Sequence, residues 1–178
     1  MKTATLAMTV GVFAAALSAC SALNGPYLGV EENPAPQALD YEALIAAKPK
    51  AVSGVRQRIV ETAKSYLGAP SKRGGSTPQG FDCTGFVYYV YQQAADITLP
   101  RKSHDQVQVG KAISPVDLHL GDLIYFTVPT SRSFHVGLYL GEGRFIHAPN
   151  TEEPVKIDSL GTPEWRERFL GARRILPG

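Results

Sequence analysis

The sequence predicts an α+β domain, because its helical and strand-like segments are separated along the chain and do not alternate. Between residues 53 and 106, apolar residues recur at helical spacing, whereas from Gly121 onward short apolar runs are separated by Gly and Pro turns. Segment 20–52 contains several prolines and few large apolar residues, which is typical of a flexible tether. We therefore expect one domain over 53–178, with N-terminal helices packed on an antiparallel β-sheet.

Two longer helices and one short helix are expected in the first half of this domain. Ser53 is placed to cap the first helix, and Gly68 is placed to end it. The second helix is expected to begin at Cys83, after Asp82 as N-cap, because apolar residues follow Cys83 at helical spacing. Ser103 and a glutamine three residues later have the spacing of a capping box and predict the short helix.

Strands are predicted in the second half, at 122–128, 134–140 and 144–148, with a helical piece near Trp165 and a last strand at 172–176. Asp122 is expected to cap the turn that leads into the first of these strands. Several arginines close to the C-terminus are interpreted as solvated charge: Arg166, Arg168, Arg173 and Arg174.

The first 19 residues have the composition of a signal peptide, since Lys2 is followed by an apolar stretch that is too short to span a bilayer. Residues 17–20, LSAC, resemble the lipobox of bacterial lipoproteins, where cleavage leaves the cysteine as an N-terminus that carries acyl chains such as palmitate. An ordinary signal peptide with an incidental cysteine is the alternative. Ser21 lacks the aspartate that would indicate inner-membrane retention, so we expect Cys20 to be anchored in the outer membrane, facing the periplasm.

Charge and cysteine content restrict the functions that are possible. The formal charge of the whole chain is +2, and removal of Lys2 with the signal peptide lowers it further, which argues against a nucleic-acid partner. The chain has 2 cysteines, so a lipidated Cys20 leaves Cys83 without a disulfide partner. A lone thiol in an exported protein is either a small buried hydrophobe or a reactive nucleophile. The start of a helix would favour the thiolate, and backbone amides there could stabilise an oxyanion.

Two of the four histidines lie on predicted strands and are candidates for the base. His135 and Gly137 share one face of their strand. A three-residue loop at 141–143 would place His147 opposite Gly137 and both histidines on one side of the sheet, whereas a two-residue loop would place them on opposite sides. With the three-residue loop, His135 would take the proton of Cys83, and His147 would orient the His135 ring.

Less specific interpretations of these residues remain. Cys83 could be a core residue, and Cys83, His135 and His147 could bind zinc, although their spacing gives that site no support. We expect no metal and no cofactor. His104 and His119 are interpreted as surface residues.

Several strings, in this order, resemble the NlpC-type cell-wall endopeptidases: GAPSKRGG, GFDCTGFV, LPRKSHDQ, LHLGDLIYF and HVGLYLGEGRFIHAP. The resemblance covers nearly everything from Ile59 to Leu176. It implies a papain-like fold, with Cys83 as the nucleophile, His135 as the base and His147 as the third polar residue. It further implies amide hydrolysis in the stem peptides or cross-links of peptidoglycan, through a thioester.

Two positions depart from the pattern of that family. Ser71 stands where the family often has a tyrosine that lines the active site, and Thr84 stands where serine is usual. We expect Asp82, Thr84 and Ser71 to contact the substrate, with Ser71 altering the pocket. The alternatives are an amidase that cuts the sugar-peptide bond, an acyltransferase that acts on lipids, or a catalytically silent lipoprotein that binds the cell wall. The sequence identifies no protein regulator.

Overall fold

The structure, a computed structural model, describes residues 54–149 and 153–176. The predicted signal peptide (1–19), the lipidated cysteine and tether (20–52) and the N-cap Ser53 lie outside the described residues.

Four α-helices are present in the described part of the chain: α1 (Gly54–Ser65), α2 (Cys83–Ala95), α3 (Ser103–Gln106) and α4 (Pro163–Arg168). A 3₁₀ turn occupies Pro115–Asp117. Gly68 follows α1 with a φ of 80°, a conformation that stops a helix and suits glycine. Within the described ranges, no helix has the length and apolar content that a membrane span requires.

The predicted capping box of α3 is wrong. Ser103 is the first residue of the helix, its N-cap is Lys102, and the cap has no side-chain hydrogen bond. The Ser103 hydroxyl oxygen instead accepts a hydrogen bond from the backbone amide of Phe134, at 3.2 Å. The serine therefore ties α3 to the strand that begins at Phe134.

The strands form a two-stranded and a six-stranded antiparallel sheet. The small sheet pairs β1 (Ser76–Thr77) with β2 (Gly80–Phe81). The large sheet has the order β3-β8-β4-β5-β6-β7, and its strands are β3 (Lys111–Ile113), β4 (Leu123–Thr127), β5 (Phe134–Gly141), β6 (Arg144–His147), β7 (Lys156–Ser159) and β8 (Phe169–Arg174). The α+β prediction is confirmed. The sequence patterns missed β1, β2, β3 and β7, and they placed the start of β8 three residues too late.

The β5–β6 hairpin reaches the expected orientation by a different turn. Glu142 and Gly143 form a two-residue turn, both with positive φ, as a type I′ turn requires. Gly141 pairs with Arg144, and the register shifts at Leu140, so that Leu138 lies opposite Ile146. The bulge places one extra residue in β5. This has the same effect on the register as the third residue of the predicted loop. The two histidines therefore stay on one side of the sheet.

An aromatic cluster covers the sheet face that carries His135. Its members are Ile124, Phe126, Tyr139, Phe145, Leu160 and Trp165. Gly137 lies on the same face, and a Cβ there would lie 2.5 Å from Cδ2 of Phe145, so the Phe145 ring occupies the space beside this glycine. The helix α2 packs against α1, β1 and β5.

Asp122 is a structural residue, as predicted. Its side chain is 1% exposed, accepts a hydrogen bond from the His119 backbone amide at 2.9 Å, and forms ion pairs with Arg56 and Arg174. The interpretation of Arg174 as solvated charge is wrong, since its side chain is only 12% exposed.

Candidate active site

Cys83 lies at the start of α2, directly after its N-cap. The Asp82 carboxylate accepts a hydrogen bond from the Gly85 backbone amide at 2.7 Å, which confirms the predicted cap. Cys83 is partly exposed and lines a cleft of about 650 Å³. The backbone amides of Thr84 and, on β5, Val136 act on the Cys83 thiol and lower its pKa. Cys83, the candidate nucleophile, therefore lies alongside β5 at Val136, the residue that follows His135.

Arg101 holds the residues around the cysteine together. Its Nη1 and Nη2 donate to the two carboxylate oxygens of Asp82, both at 2.9 Å. The same guanidinium donates to Thr84 Oγ1 at 2.6 Å and to the Gly75 carbonyl oxygen at 2.9 Å. Burial would raise the pKa of Asp82, but the hydrogen bonds from Arg101 and Gly85 outweigh it and hold that pKa below its usual range.

Cationic side chains border the cleft. It is lined by Arg73, Gly74, Asp82, Cys83, Thr84, Arg101, Lys102, Ser103, His104, Ser133 and Phe134. His104, interpreted as a surface residue, is exposed, and it also lines this cleft, where its ring centroid is 4.9 Å from that of Phe134. A second cleft of about 290 Å³ shares Arg73, Asp82 and Cys83 with the first, and Phe81 and Pro149 also line it. The cysteine is thus open to space on two sides.

The three predicted substrate contacts differ in their surroundings. Asp82 and Thr84 line the larger cleft, and the Thr84 hydroxyl also donates to Asp82 at 3.0 Å. Ser71 lines neither cleft; it forms a β-bridge with Phe81, and its hydroxyl oxygen is buried without a hydrogen-bond partner in the described part of the chain.

The acidity of the thiol differs from the expectation. Burial, together with the negative charge of Asp82, raises the pKa of Cys83 to about 11, against the opposing effects of the Val136 and Thr84 amides and of Arg101. The Thr84 amide at the start of α2 favours the thiolate, as expected, but burial and the charge of Asp82 outweigh it in the resting site. Cys83 is a neutral thiol at neutral pH, so it requires a base.

The predicted histidine pair is formed. His135 Nε2 lies 2.8 Å from His147 Nδ1, and both side chains are buried. Burial, followed by the charge of His147, lowers the pKa of His135 to about 3. Burial also lowers the pKa of His147, although Asp158 acts in the opposite direction. Both rings are therefore neutral at neutral pH, and a neutral imidazole can accept a proton.

Two further residues contact this pair, and the sequence patterns missed both of them as site residues. His147 Nε2 lies 3.1 Å from Oδ2 of Asp158, and the Trp165 indole N–H donates to the same oxygen at 3.0 Å. The Trp165 ring also stacks on His135, with ring centroids 5.5 Å apart. The hydrogen bond from His147 lowers the pKa of Asp158 to about 2, so the carboxyl is ionised. Asp158 lies on β7, a strand without apolar alternation.

Within residues 54–149 and 153–176, no three His, Cys, Asp or Glu side chains are grouped closely enough to hold a metal ion. Oriented histidines beside a thiol are instead the arrangement that nucleophilic acyl transfer needs.

A sequence model of the NlpC/P60 family matches residues 68–174, which is more than half of the chain. The chain belongs to the NlpC/P60 family. A solved structure of an NlpC/P60 family protein from Bacillus cereus ATCC 10987 has a TM-score of 0.64 and 38% identity, over 73% of this chain and 42% of that one. The resemblance and the papain-like α+β fold are thereby confirmed.

Curated relatives of this NlpC/P60 chain carry the names of hydrolases and peptidases. The gamma-DL-glutamyl hydrolase of Bacillus subtilis (strain 168) is 44% identical over 120 residues, which are 66% of this chain and 29% of that protein. The murein DD-endopeptidase MepS/murein LD-carboxypeptidase of Escherichia coli (strain K12) is 38% identical over 122 residues, 68% of this chain and 64% of that protein. The chain therefore matches less than two thirds of the length of each.

Proposed function

We propose that this chain is a cysteine peptidase that hydrolyses amide bonds in the stem peptides or cross-links of peptidoglycan. The observation that carries the proposal is the placement of Cys83 in an open cleft beside β5, the strand that supplies His135 of the buried histidine pair. A neutral thiol and a neutral imidazole are the correct protonation states for general-base activation of the nucleophile. The names of the two curated relatives support peptidoglycan and glutamyl peptides as the substrate class.

In the proposed reaction, Cys83 gives its proton to His135, and the sulfur attacks the carbonyl carbon of the scissile amide. The backbone amide of Cys83 at the start of α2 would donate to the oxyanion. His135 then gives the proton to the leaving amine as the C–N bond breaks, which leaves a thioester on Cys83. Water, deprotonated by the same imidazole, hydrolyses the thioester and restores the thiol. His147 orients the His135 ring throughout.

The charges of the cleft suit an acidic peptide. Arg73 and Lys102 line the larger cleft, and Lys72 and Arg73 line the smaller one. No ion pair of these three side chains occurs among the described residues, and all three are exposed. Stem peptides carry free carboxylates, which exposed cations attract. Asp82 and Thr84, which Arg101 holds in place at the wall of the larger cleft, would contact the substrate there.

We also propose that the enzyme acts from a lipid anchor. The support is the lipobox-like sequence that ends at Cys20, the proline-containing segment 20–52 and the absence of aspartate at position 21. An anchor with a tether suits an immobile polymer, since the domain can then reach the wall from the outer membrane. Mass analysis of the N-terminal peptide from the full chain should show acyl chains on Cys20. A Cys20→Ser variant should leave the membrane fraction, and an unmodified Cys20 would refute the anchor.

Digestion of purified peptidoglycan, with the fragments identified by mass, tests the proposed reaction. The expected products are shortened or uncoupled stem peptides with new amino termini. Complete stem peptides released from the sugar would identify an amidase instead. Binding to the wall without any released fragment would identify a silent scaffold and would refute the peptidase.

A further inference from the structure

Asp158 continues the histidine pair by one more hydrogen-bonding group. On β7, Lys156 lies opposite His147, so Asp158, two residues further along, projects on the same side of the sheet. Its Oδ2 is the atom that faces both His147 Nε2, at 3.1 Å, and the Trp165 indole nitrogen, at 3.0 Å. Lys156 Nζ lies 3.5 Å from the same oxygen. Three nitrogen groups thus converge on one carboxylate oxygen.

Asp158, His147 and His135 form a series of hydrogen-bonded groups. The positions of its protons follow from which groups can only accept a hydrogen bond and which can only donate one. An ionised carboxylate only accepts, so His147 must carry its proton on Nε2. In a neutral ring the other nitrogen, Nδ1, then has a lone pair, and it accepts the proton on His135 Nε2 across 2.8 Å. A neutral His135 protonated on Nε2 has its lone pair on Nδ1. That nitrogen is the one available to Cys83.

We propose that Asp158, held by Trp165, is a positioning residue that fixes the tautomers of His147 and His135, so that the basic lone pair of His135 stands at Nδ1. The inference rests on the proposed cysteine-peptidase reaction and names a residue that acts through the histidines. Without Asp158, the His147 proton can move to Nδ1. His135 Nε2 then becomes the acceptor, and the His135 proton occupies Nδ1, where a base is needed.

The proton transfer from Cys83 to His135 requires no further reactant. The proton of the Cys83 thiol passes to His135 Nδ1 and gives an imidazolium, whose Nε2–H still donates to His147. The Asp158 carboxylate, one ring away, offsets the positive charge. The imidazolium then returns that proton, from Nδ1, to the leaving amine as the thioester forms.

Trp165 controls which way an amide at position 158 would face, because an indole N–H can only donate a hydrogen bond. In an Asp158→Asn variant, the Trp165 indole would orient the amide so that its oxygen takes the place of Oδ2, whereas Lys156 donates to Glu153 at 2.6 Å and lies further from this oxygen. That oxygen still accepts from His147, so the tautomers are retained and only the charge is lost. In Asp158→Asn with Trp165→Phe, the amide can rotate and present its NH₂ group to His147. The wrong tautomer then becomes available.

The experiment compares the wild type, Asp158→Ala, Asp158→Asn, Trp165→Phe and the Asn/Phe double variant in release of peptides from peptidoglycan. Each single conservative variant should lose at most about tenfold in rate, because it retains the tautomer. Asp158→Ala and the double variant should both lose about 1,000-fold to 10,000-fold, which exceeds the product of the two single losses; the wrong tautomer costs about 10,000-fold in a serine-protease triad. Glu164→Gln is the matched control, since it removes an exposed carboxylate from the same helix as Trp165.

A second readout does not depend on activity. Histidine ¹⁵N NMR of the wild type at neutral pH should place the His147 proton on Nε2 and should show Nδ1–H in the double variant. Thermal unfolding establishes that each variant is folded. The inference is overturned by wild-type rates in Asp158→Ala, by a double-variant loss no larger than the product of the single losses, or by a His147 Nδ1–H in the wild type. A wild type that releases nothing refutes the peptidase instead, and the NMR result then still decides the tautomer.

Discussion

Removal of Arg101 should lower the stability of the domain and also weaken the nucleophile. The guanidinium makes two charge-assisted hydrogen bonds to Asp82, one to Thr84 and one to the Gly75 carbonyl oxygen. The Arg101 and Asp82 side chains are 35% and 27% exposed, so solvent screens part of their attraction. The four bonds together should contribute about 2–3 kcal/mol to the free energy of unfolding. For a domain of this size that corresponds to a fall of roughly 8–12 °C in Tm in Arg101→Ala.

The assay is thermal unfolding of the wild type, Arg101→Ala and Arg73→Ala. Arg73 borders the same cleft and has no hydrogen bond or ion pair in the described part of the chain, so its removal should leave Tm unchanged. Arg101 also lowers the pKa of Cys83, so its loss should slow alkylation of the thiol at neutral pH. Equal Tm values for the two variants would refute the interpretation of Arg101 as the residue that holds this cluster together.

Three further outcomes are expected. Because burial and Asp82 raise the pKa of Cys83 to about 11, alkylation by iodoacetamide should accelerate with pH up to at least pH 9; a fast rate that is constant from pH 4 to 8 would instead show a preformed thiolate. Gly137→Ala places a methyl group 2.5 Å from Phe145 and should cost about 1–3 kcal/mol in urea unfolding, and an unchanged midpoint would contradict that contact. Asp122→Ala removes the buried partner of Arg174 and should cost about 3–5 kcal/mol by the same measurement; a loss below 1 kcal/mol would show that the pair is dispensable.

Local patterns predicted the parts of the site that depend on a single element. The helical spacing after Cys83 and the capping side chain of Asp82 both act within a few residues, and the structure has both as predicted. Alternation along β5 placed His135 on the correct face. The bulge at Leu140 could not be foreseen, since a two-residue turn with a bulge and a three-residue loop give the same register beyond the turn.

Features that depend on packing between distant segments were missed. β7 has no apolar alternation, and its pairing with β6 is what carries Asp158 to His147. The predicted effect of the helix start on the pKa of Cys83 is local and is present, but burial and the charge of Asp82 are larger here and raise that pKa. The burial of Cys83 results from the packing of α2 on β5. The sequence around Cys83 does not predict that packing.

The most direct test of the central claim compares wild type and Cys83→Ser in the release of new amino groups from purified peptidoglycan. Serine keeps the size of the side chain but is a far weaker nucleophile, so the variant should stay folded. The rate should fall by at least about 1,000-fold. Release of the same fragments at the same rate by both proteins would contradict the assignment of Cys83 as the nucleophile.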